Sequence, residues 1–514
     1  MAKRLNKKKI LLTGASGFIG RNLLGHLCQE YYVYAFARRT QQEAGVKTHK
    51  NIKWILVDIA RESSLTKVIE SIKKEGGVDY IIHLAAYYDF DNKSHPEFDR
   101  TNILGTRLLL ENSKELGIKR FIYASSIAAS NFPSPGKAVN EQSPLDADYP
   151  YAISKKKGEE MLKEYSKNFP CSSIRLAAVY GDWCEYGLLY ILLKTWLSSS
   201  WKSRIIAGNG ESAIPYIHVN CIKSLISLVL EKSDHLLQFD IYLASPEGAT
   251  SHRELYEMAT RYYFGEIKSP VLMPKWIALI GVYFLDFMGG IIGKRPFERP
   301  WMIKYVDKKL TAETDYTKKT LGWEPKKKYH IIRRLLFLIE NLKSFPVKWE
   351  QRNISALAKP SIERPNLILA ELMQNIQEEV TNRIMEYMIS PDHTDQFKHY
   401  YDIHDPQKVK WYIEAAYNLL INSVRNGDRY ALINYARSLA NMRSREGFES
   451  EEVCRALMVT GDHISSALLA IPETKGMELL IHDWITLAIQ LAVDEVEDSF
   501  ERIEQSEKAE TGYF

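Results

Sequence analysis

A short apolar run followed by a glycine-rich turn near the start of the chain most constrains its fold. Residues 10–12 (ILL) are continuous rather than alternating, which is typical of a strand buried on both faces of a parallel sheet. GASGFIG follows at 14–20, and a helix is predicted over 18–29. Gly14, Gly17 and Gly20 then suit a tight turn, close approach of a pyrophosphate and close helix packing, respectively. The pattern predicts a strand–turn–helix unit that holds phosphates at the helix N-terminus.

Strand-like and helix-like segments alternate along the first 180 residues. Helices are predicted near 63–75, 97–116 and 151–168. Such alternation favours a doubly wound parallel sheet with right-handed crossovers. We therefore expect an α/β fold, a Rossmann-type sheet with a small substrate subdomain, followed by a separate all-α helical bundle. The strands predicted after the first are 31–39, 51–59, 79–86, 120–126 and 172–181.

Tyr151 and Lys155 have the spacing of a pair that acts together on a helix. Four residues place them one turn apart on the same face. A phenol with a pKa of about 10 is a poor base at neutral pH. A nearby ammonium group would lower that pKa, as general acid–base catalysis requires. The alternative is an exposed helix carrying a solvated tyrosine and the lysines 155–157, and the upstream glycine turn argues against it.

An ordered series of motifs over residues 8–345 resembles the extended short-chain dehydrogenase/reductases, in the NAD-dependent epimerase/dehydratase group. The resemblance covers about two thirds of the chain. It implies an NAD(P)-dependent oxidoreductase that transfers hydride through a Ser-Tyr-Lys site. The motifs are TGASGFIG at 13–20, VDI at 57–59, HLAA at 83–86, TNILGT at 101–106, YASS at 123–126, YAISK at 151–155 and RLAAVYG at 175–181.

The resemblance assigns roles to residues at matching positions. Ser126 would hold the substrate oxygen, Tyr151 would exchange the proton, and Lys155 would also bind the nicotinamide ribose. Asn102 would buttress this catalytic set, and Ser125 is a weaker candidate for the serine. No metal ligand is expected. The implied cofactor-binding residues are Thr13, Gly14, Ser16, Gly17, Phe18, Ile19, Gly20, Arg38, Arg39, Asp58 (at the adenine), Ile59, Leu84, Ala85, Ala86, Tyr151, Lys155 and Val179.

The end of the second predicted strand indicates which dinucleotide is preferred. An acidic residue there would bind the ribose 2′-hydroxyl of NAD. This chain has Arg38 and Arg39 instead, and guanidinium groups suit a 2′-phosphate. NADP is therefore the expected cofactor, with NAD as the alternative.

Two departures from the family pattern bear on the substrate. Nucleotide-sugar members usually carry an Asn after the Arg of the sixth strand, where this chain has Ala177 and Ala178. They also carry an Arg before a phrase like DYIHV, where Ile214 and Pro215 fall here. With HVN at 218–220, the chain looks closer to hydroxysteroid and 3-oxo-lipid reductases, so an apolar alcohol or ketone is expected. The alternatives are a nucleotide-sugar epimerase or dehydratase, and a dinucleotide-sensing regulatory protein.

The stretch 276–293 is apolar apart from Asp286. It is short for a membrane span, which needs about 20 apolar residues. A buried helix of the substrate subdomain is the first interpretation. A lid that touches the membrane surface is the second, and a true span is the third.

Charge and cysteine content indicate which classes of partner and which cellular compartment to expect. Residues 360–514 hold 14 Lys+Arg against 27 Asp+Glu, a balance of −13 that leaves +17 for residues 1–359. That basic surface is either simply solvated or attracts an anionic membrane or an acyl carrier, whereas nucleic acid is not expected. Five scattered cysteines without CxxC spacing, and a basic start unlike a signal peptide, predict a cytoplasmic protein. A homo-oligomer is expected.

The catalytic domain is predicted to span 1–345, with the substrate part mainly at 182–330. A linker is predicted over 346–365 because that stretch is polar and contains several prolines. Apolar residues then recur at three- and four-residue steps, which predicts five helices in an all-helical domain over 366–510. Arg443, Gly447, Phe448 and Glu452 loosely resemble a pattern in the N-terminal domains of stressosome co-antagonist proteins. This domain is predicted to mediate self-association, partner binding or regulation.

Overall fold

The computed structural model describes residues 7–89, 92–292, 299–357, 365–403 and 405–511. The chain divides into two compact units, Met1–Pro360 and Ser361–Phe514. Each unit has its own hydrophobic core.

The first unit is built on a seven-stranded parallel sheet. It contains β1 Lys9–Thr13, β2 Tyr32–Ala37, β3 Ile52–Leu56, β4 Tyr80–His83, β5 Arg120–Ser126, β6 Cys171–Leu176 and, after four short strands, β11 Phe239–Ala244. The strand order is β11-β6-β5-β4-β1-β2-β3. The order reverses beside β1, and ligands bind at such switch points, outside the carboxyl ends of the strands. The short strands are β7 Ala178–Tyr180, β8 Ile205–Ala207, β9 Ala213–Ile214, β10 Tyr216–His218, β12 Thr250–Ser251 and β13 Val271–Met273.

Helices cover both faces of this sheet. Its strands are therefore buried and consist mainly of continuous apolar residues. The strand side chains divide between two core clusters, one on each face, with Ile10 and Leu12 in one and Leu11 in the other. The helices of the first unit are α1 Phe18–Leu27, α2 Glu62–Lys74, α3 Thr106–Ser113, α4 Pro150–Tyr165, α5 Gly187–Trp196, α6 Val219–Glu231, α7 His252–Phe264, α8 Lys275–Ile292, α9 Asp315–Leu321, α10 Ile331–Ser344 and α11 Pro346–Leu357.

The predicted Rossmann-type architecture is confirmed. All six predicted strands are present. The seventh strand, β11, was not predicted from its sequence FDIYLA. It pairs in parallel with β6 and completes one edge of the sheet.

Residues 276–292 of the apolar stretch lie on helix α8, and residue 293 lies outside the described residues. The first interpretation, a buried helix, is wrong. Trp276, Phe284 and Phe287 are 65%, 63% and 67% exposed. The apolar composition of this helix therefore does not reflect burial in the core. None of the described helices is long and apolar enough to cross a membrane.

The predicted linker also differs from the structure. Its first part forms helix α11, and Trp349 on this helix is buried against Tyr190. The polar composition concealed the helix because only a few of its side chains face the core. Residues 358–364 of the predicted linker lie outside the described residues.

The second unit is all-helical, as predicted. Its five main helices are α12 Pro365–Met388, α14 Pro406–Asn426, α15 Tyr430–Arg445, α16 Ser450–Leu469 and α18 Leu487–Thr511, with short helices α13 Lys398–Asp402 and α17 Glu478–Ile481. A single buried cluster includes side chains from all five main helices, among them Met373, Tyr417 and Val496.

Candidate functional site

The glycine turn between β1 and α1 has the geometry that its sequence requires. Gly14 has a φ of +69°, and a Cβ there would lie 2.8 Å from the backbone nitrogen of Ala85. A Cβ on Gly20 would lie 2.1 Å from the carbonyl oxygen of Gly14. Neither position admits a side chain without moving the backbone. The turn therefore brings the start of α1 tightly against the carboxyl ends of β1 and β4.

The N-terminus of α1 is suited to a phosphate. Gly17 is the N-cap residue, and within the described structure no side chain caps this end. The first-turn amides of Phe18, Ile19 and Gly20 can therefore donate to a ligand at the positive end of the helix dipole. A Cβ at Gly17 would approach only the carbonyl oxygen of Gly14, at 3.2 Å, so one side of this residue stays open. These features fit a dinucleotide pyrophosphate.

A hydrogen-bond chain joins β1, β4 and the segment that follows them. The Thr13 hydroxyl lies 2.6 Å from Nδ1 of His83, and Nε2 of His83 lies 2.9 Å from the Thr106 hydroxyl. Thr106 donates in turn to the carbonyl oxygen of Asn102. This order makes Thr13 the donor to Nδ1 and leaves the His83 proton on Nε2. Burial lowers the pKa of His83 to about 3, which keeps the ring neutral.

Arg38 and Arg39, which follow β2, have different surroundings. Arg38 donates to the carboxylate of Glu97 at 3.3 Å, and the Glu97 side chain is completely buried. Arg39 donates to the carbonyl oxygen of Ser16 at 2.6 Å. Glu97 therefore offsets the charge of Arg38, whereas the Arg39 guanidinium lies against the glycine turn.

The remaining predicted cofactor residues lie at or beyond the ends of the sheet strands. Asp58 forms an ion pair with Arg100 and accepts the backbone N–H of Ala60 at 3.0 Å. Ala85 donates its N–H to the Thr13 hydroxyl at 3.2 Å. Ile59 is buried, Leu84 and Ala86 are partly buried beyond β4, and Val179 pairs with Ile217 between β7 and β10. Asp58 is thus engaged with protein groups, and an adenine contact by this residue stays a prediction.

Asn102 connects the segment after β4 to the first turn of α4 by hydrogen bonds. Its Oδ1 accepts the N–H of Tyr87 at 2.7 Å, and its Nδ2 donates to the Tyr87 carbonyl at 3.0 Å and to Ser154 at 2.9 Å. Ser154 donates to the carbonyl oxygen of Tyr151 at 2.7 Å. The buried Asn102 amide therefore holds the first turn of α4, which makes it a positioning residue. Tyr87 and Ser154 were not predicted from the sequence.

The structure brings Ser126, Tyr151 and Lys155 together. The Ser126 hydroxyl, at the end of β5, lies beside Tyr151 and favours the ionised form of its phenol. The Lys155 ammonium donates to the carbonyl oxygen of Ala124 at 2.6 Å and lies 5.7 Å from the Tyr151 ring centroid. Ser125 is buried, and among the described residues its hydroxyl has no hydrogen-bond partner. Ser126 is the serine that lies beside Tyr151.

The pKa shifts differ from the expectation that Lys155 lowers the pKa of Tyr151. Burial raises the pKa of Tyr151 to about 12, and the neighbouring Ser126 hydroxyl only partly opposes this effect. Burial also lowers the pKa of Lys155 to about 8, against the attraction of Glu159. Desolvation outweighs charge attraction in this structure because the two side chains make no direct hydrogen bond.

Three other tyrosine side chains lie beside Tyr151. The Tyr88 ring packs edge-on against Tyr151 at 4.7 Å, and the Tyr149 ring lies nearly parallel to it at 6.5 Å. Tyr149 donates its hydroxyl to the carbonyl oxygen of Ala128. Burial raises the pKa of Tyr186, and the neighbouring Tyr151 phenol raises it further. Tyr88 and Tyr186 could not be assigned to this site from the sequence, where they lie 63 and 35 residues from Tyr151.

A constrained loop carries Tyr186 to this site. Cys184 and Glu185 both have positive φ values, 72° and 56°, which are uncommon for residues with a side chain. Asn353 on α11 accepts the N–H of Glu185 at 2.8 Å. It also donates to the carbonyl oxygen of Trp183 at 2.8 Å. A residue that was assigned to a linker thus fixes a loop of the candidate active site.

The residues of the C-terminal pattern form a junction between helices. Gly447 has a φ of +86° and turns the chain between α15 and α16. The buried Arg443 guanidinium lies 4.4 Å from the Phe448 ring centroid and also forms an ion pair with Glu446. Glu452 accepts from the backbone and the ring of His399 at 2.9 and 2.7 Å. These contacts connect α13, α15 and α16.

Comparisons with known proteins agree with the site. Residues 10–244 match the family described as the NAD dependent epimerase/dehydratase family. A dTDP-D-glucose 4,6-dehydratase of Dictyostelium discoideum is 29% identical over 249 residues, which are 44% of this chain and 56% of that enzyme. A Synechocystis protein named as a dihydroflavonol 4-reductase is 31% identical over 138 residues, which are 26% of this chain and 38% of that protein. The chain thus spans about half or less of the length of these two relatives.

A solved structure shows the same fold. The dTDP-glucose 4,6-dehydratase of Bacillus anthracis, in complex with NAD, superimposes with a TM-score of 0.51 at 20% identity. The match covers 67% of this chain and 99% of that enzyme. The glycine turn and the Ser126–Tyr151–Lys155 arrangement both lie within residues 10–244, the segment that matches the NAD dependent epimerase/dehydratase family.

Proposed function

We propose that the first unit transfers hydride between an NAD(P) cofactor and a carbon that bears a hydroxyl or carbonyl oxygen. The observation that carries this proposal is the convergence of three side chains at the carboxyl edge of the sheet: the Ser126 hydroxyl lies beside Tyr151, and the Lys155 ammonium lies 5.7 Å from the Tyr151 ring centroid. This edge is where the glycine turn and the uncapped N-terminus of α1 are placed to receive phosphates. The bound dinucleotide supplies or accepts the hydride at carbon 4 of its nicotinamide.

The protein residues handle the substrate oxygen and its proton. In the reducing direction, Tyr151 donates its phenolic proton to the oxygen as the carbon gains hydride, and Ser126 holds that oxygen by a hydrogen bond. The raised pKa of Tyr151 suits proton donation at neutral pH. In the oxidising direction the phenolate must form first. A Lys155 ammonium favours that step, and its pKa of about 8 keeps it mostly charged at neutral pH.

We propose an apolar alcohol or ketone as the substrate class. The support is the aromatic surface formed by Tyr88, Tyr149 and Tyr186 around Tyr151. Ile214 and Pro215 also stand where nucleotide-sugar members of the family carry a cation for the diphosphate. One relative is named as a dihydroflavonol 4-reductase, which is consistent with this class.

A nucleotide sugar is the second candidate substrate, and a specific observation favours it. Lys304 and Lys308 both lie over the Tyr305 ring, at 5.0 and 5.9 Å from its centroid. The same ring packs against Phe132 at 4.9 Å. These two cations could bind a diphosphate near the loop that follows β5. A relative named as a dTDP-D-glucose 4,6-dehydratase supports the same class.

NADP is the proposed cofactor, and NAD is the alternative. The support for NADP is that two arginines follow β2 and that Arg39 lies against the glycine turn. NAD is present in the solved Bacillus anthracis enzyme.

The test begins with the small molecules that copurify with the full-length protein, identified by native mass spectrometry. An apolar alcohol or ketone would support the first substrate class, and a UDP or dTDP compound would support the second. Turnover is then followed at 340 nm with NADP or NAD and the identified compound. Hydride transfer in wild type that is lost in Tyr151→Phe supports the proposal. Unchanged turnover in that variant contradicts it.

A further inference from the structure

Helix α8 presents a continuous apolar face to solvent. Trp276, Ile280, Tyr283, Phe284 and Phe287 are 65%, 63%, 58%, 63% and 67% exposed. Their spacing of four, three, one and three residues places all five on one side of a helix. Ala278, on the opposite side, is only 5% exposed. We call these five side chains the α8 surface.

The exposed apolar region extends beyond the helix itself. Val271 on β13 and Ile267 just before it are 53% and 57% exposed. Trp201, just before β8, is 76% exposed, and β8 pairs with β13. Proteins seldom leave so many large apolar side chains exposed in one region unless it forms an interface.

Positive charge accompanies this surface. The sequence from 264 to 305 holds six basic and three acidic residues. Asp286, the one acidic residue within α8, is paired with Arg299 at 2.7 Å. Lys268 lies 3.5 Å above the Phe264 ring, and Lys275 begins the helix. An apolar face with tryptophan and tyrosine, bordered by cations, matches the chemistry of an anionic lipid interface.

We propose that the α8 surface docks this protein on an anionic phospholipid bilayer, with the helix lying in the plane of the headgroups. The five apolar side chains enter the boundary between headgroups and acyl chains, and the flanking lysines contact lipid phosphates. A crossing orientation is disfavoured because 18 residues span only about 27 Å of helix, and the helix includes an ion-paired aspartate. A second copy of the chain is less suited than a bilayer to cover the α8 surface. A symmetric contact between two copies would place the lysines at the edge of one surface opposite those of the other.

Docking at α8 would take place next to the candidate active site. Helix α8 packs against the short helical segment Pro300–Tyr305. From that segment, Lys304 lies 3.5 Å from Asp148, the neighbour of Tyr149. Tyr305 packs against Phe132. Docking of α8 on a bilayer does not require the proposed hydride transfer.

Co-sedimentation of the full-length protein with vesicles tests the proposal. Vesicles of phosphatidylcholine alone are compared with vesicles that also contain phosphatidylglycerol. We expect at least about tenfold tighter binding to the anionic vesicles, weakening as salt screens the charges. The double variant Trp276→Ser/Phe284→Ser should bind at least about tenfold less well, because it removes two large side chains from the apolar contact.

A matched control is Trp411→Ser in the second unit, where Trp411 is 62% exposed. It removes a similarly exposed tryptophan and should leave vesicle binding unchanged. An equal loss in both variants would overturn the proposal, as would absence of binding to either vesicle type. A dimer that the α8 variant disrupts, without vesicle binding, would instead assign the surface to a second copy. Tyr151→Phe should keep vesicle binding, so failure of the catalytic proposal is distinguishable from failure of this one.

Discussion

The backbone N–H of Glu185 donates to Oδ1 of Asn353 at 2.8 Å, across 168 residues of sequence. The same amide side chain donates to the carbonyl oxygen of Trp183, so both of its ends hold one loop. Asn353 is 1% exposed, and water cannot replace these bonds without opening α11. The loop leads to Tyr186 beside Tyr151. Helix α11 is thus part of the first unit, although it lies beyond the matched family segment.

Asn353→Ala should destabilise the protein and impair substrate binding. The substitution leaves the Glu185 N–H and the Trp183 carbonyl without this partner, which costs about 1–3 kcal/mol for each buried group. Thermal unfolding and the KM for substrate report the two effects. Asn112→Ala is the control, because in the described structure Asn112 donates within its own helix, to the carbonyl oxygen of Leu108. Equal and small effects of both substitutions would show that α11 does not hold the loop.

The residue at which the chain is shortened should determine whether the first unit folds stably without the second. A chain ending at residue 360 keeps α11, whereas a chain ending at residue 348 loses Trp349 and Asn353. Trp349 is 2% exposed and packs 5.2 Å from the Tyr190 ring centroid. Loss of a buried tryptophan side chain costs about 3–5 kcal/mol. We expect the longer fragment to bind dinucleotide and the shorter one to unfold at lower temperature, as scanning calorimetry would show. Equal stability would contradict this.

Tyr151→Phe should reduce turnover by about 10²–10⁴-fold, the usual contribution of a positioned acid–base group. The ring and its packing against Tyr88 remain, so dinucleotide affinity should stay close to wild type. Stopped-flow measurement of hydride transfer and fluorescence titration separate the two effects. Tyr165→Phe, near the other end of α4, removes a hydroxyl that bonds Glu111 and should leave turnover unchanged. A similar loss in both variants would remove the catalytic assignment.

Dinucleotide affinity should fall as the pH rises through about 8. Burial lowers the pKa of Lys155 to about 8, so its ammonium is charged below that pH and neutral above it. The charged form attracts the anionic dinucleotide, and binding is therefore stronger on the acidic side. Calorimetric titration from pH 6.5 to 9.5 measures the change. Lys155→Met should bind more weakly at low pH and lose the inflection near pH 8. An inflection that persists in this variant would have to come from another group.

The parts of this protein that local patterns determine could be predicted from sequence. Ile10, Leu11 and Leu12 indicated a buried strand, and Tyr151 with Lys155 indicated a helical pair. The exposure of α8 could not be predicted, because an apolar helix has the same sequence pattern whether it packs against a core or faces solvent. Asn353 was missed for another reason, since its partners lie 168 and 170 residues away and backbone contacts leave no pattern in sequence. The pKa of Tyr151 depends on burial, which spacing alone does not reveal.

Arg39→Ala should reduce NADP affinity more than Arg38→Ala does. The buried carboxylate of Glu97 offsets the charge of Arg38, so Arg38 attracts an anionic ligand only weakly. Arg39 lies 2.6 Å from the Ser16 carbonyl, beside the turn that receives the pyrophosphate. A charge-assisted bond to the 2′-phosphate contributes about 1.5–3 kcal/mol, or roughly ten- to a hundredfold in affinity. Parallel titrations of both variants with NADP and NAD measure this difference. NAD binding should change little in Arg39→Ala, because NAD lacks the 2′-phosphate. If wild type binds the two dinucleotides equally, the arginines do not select the cofactor and the NADP proposal is wrong.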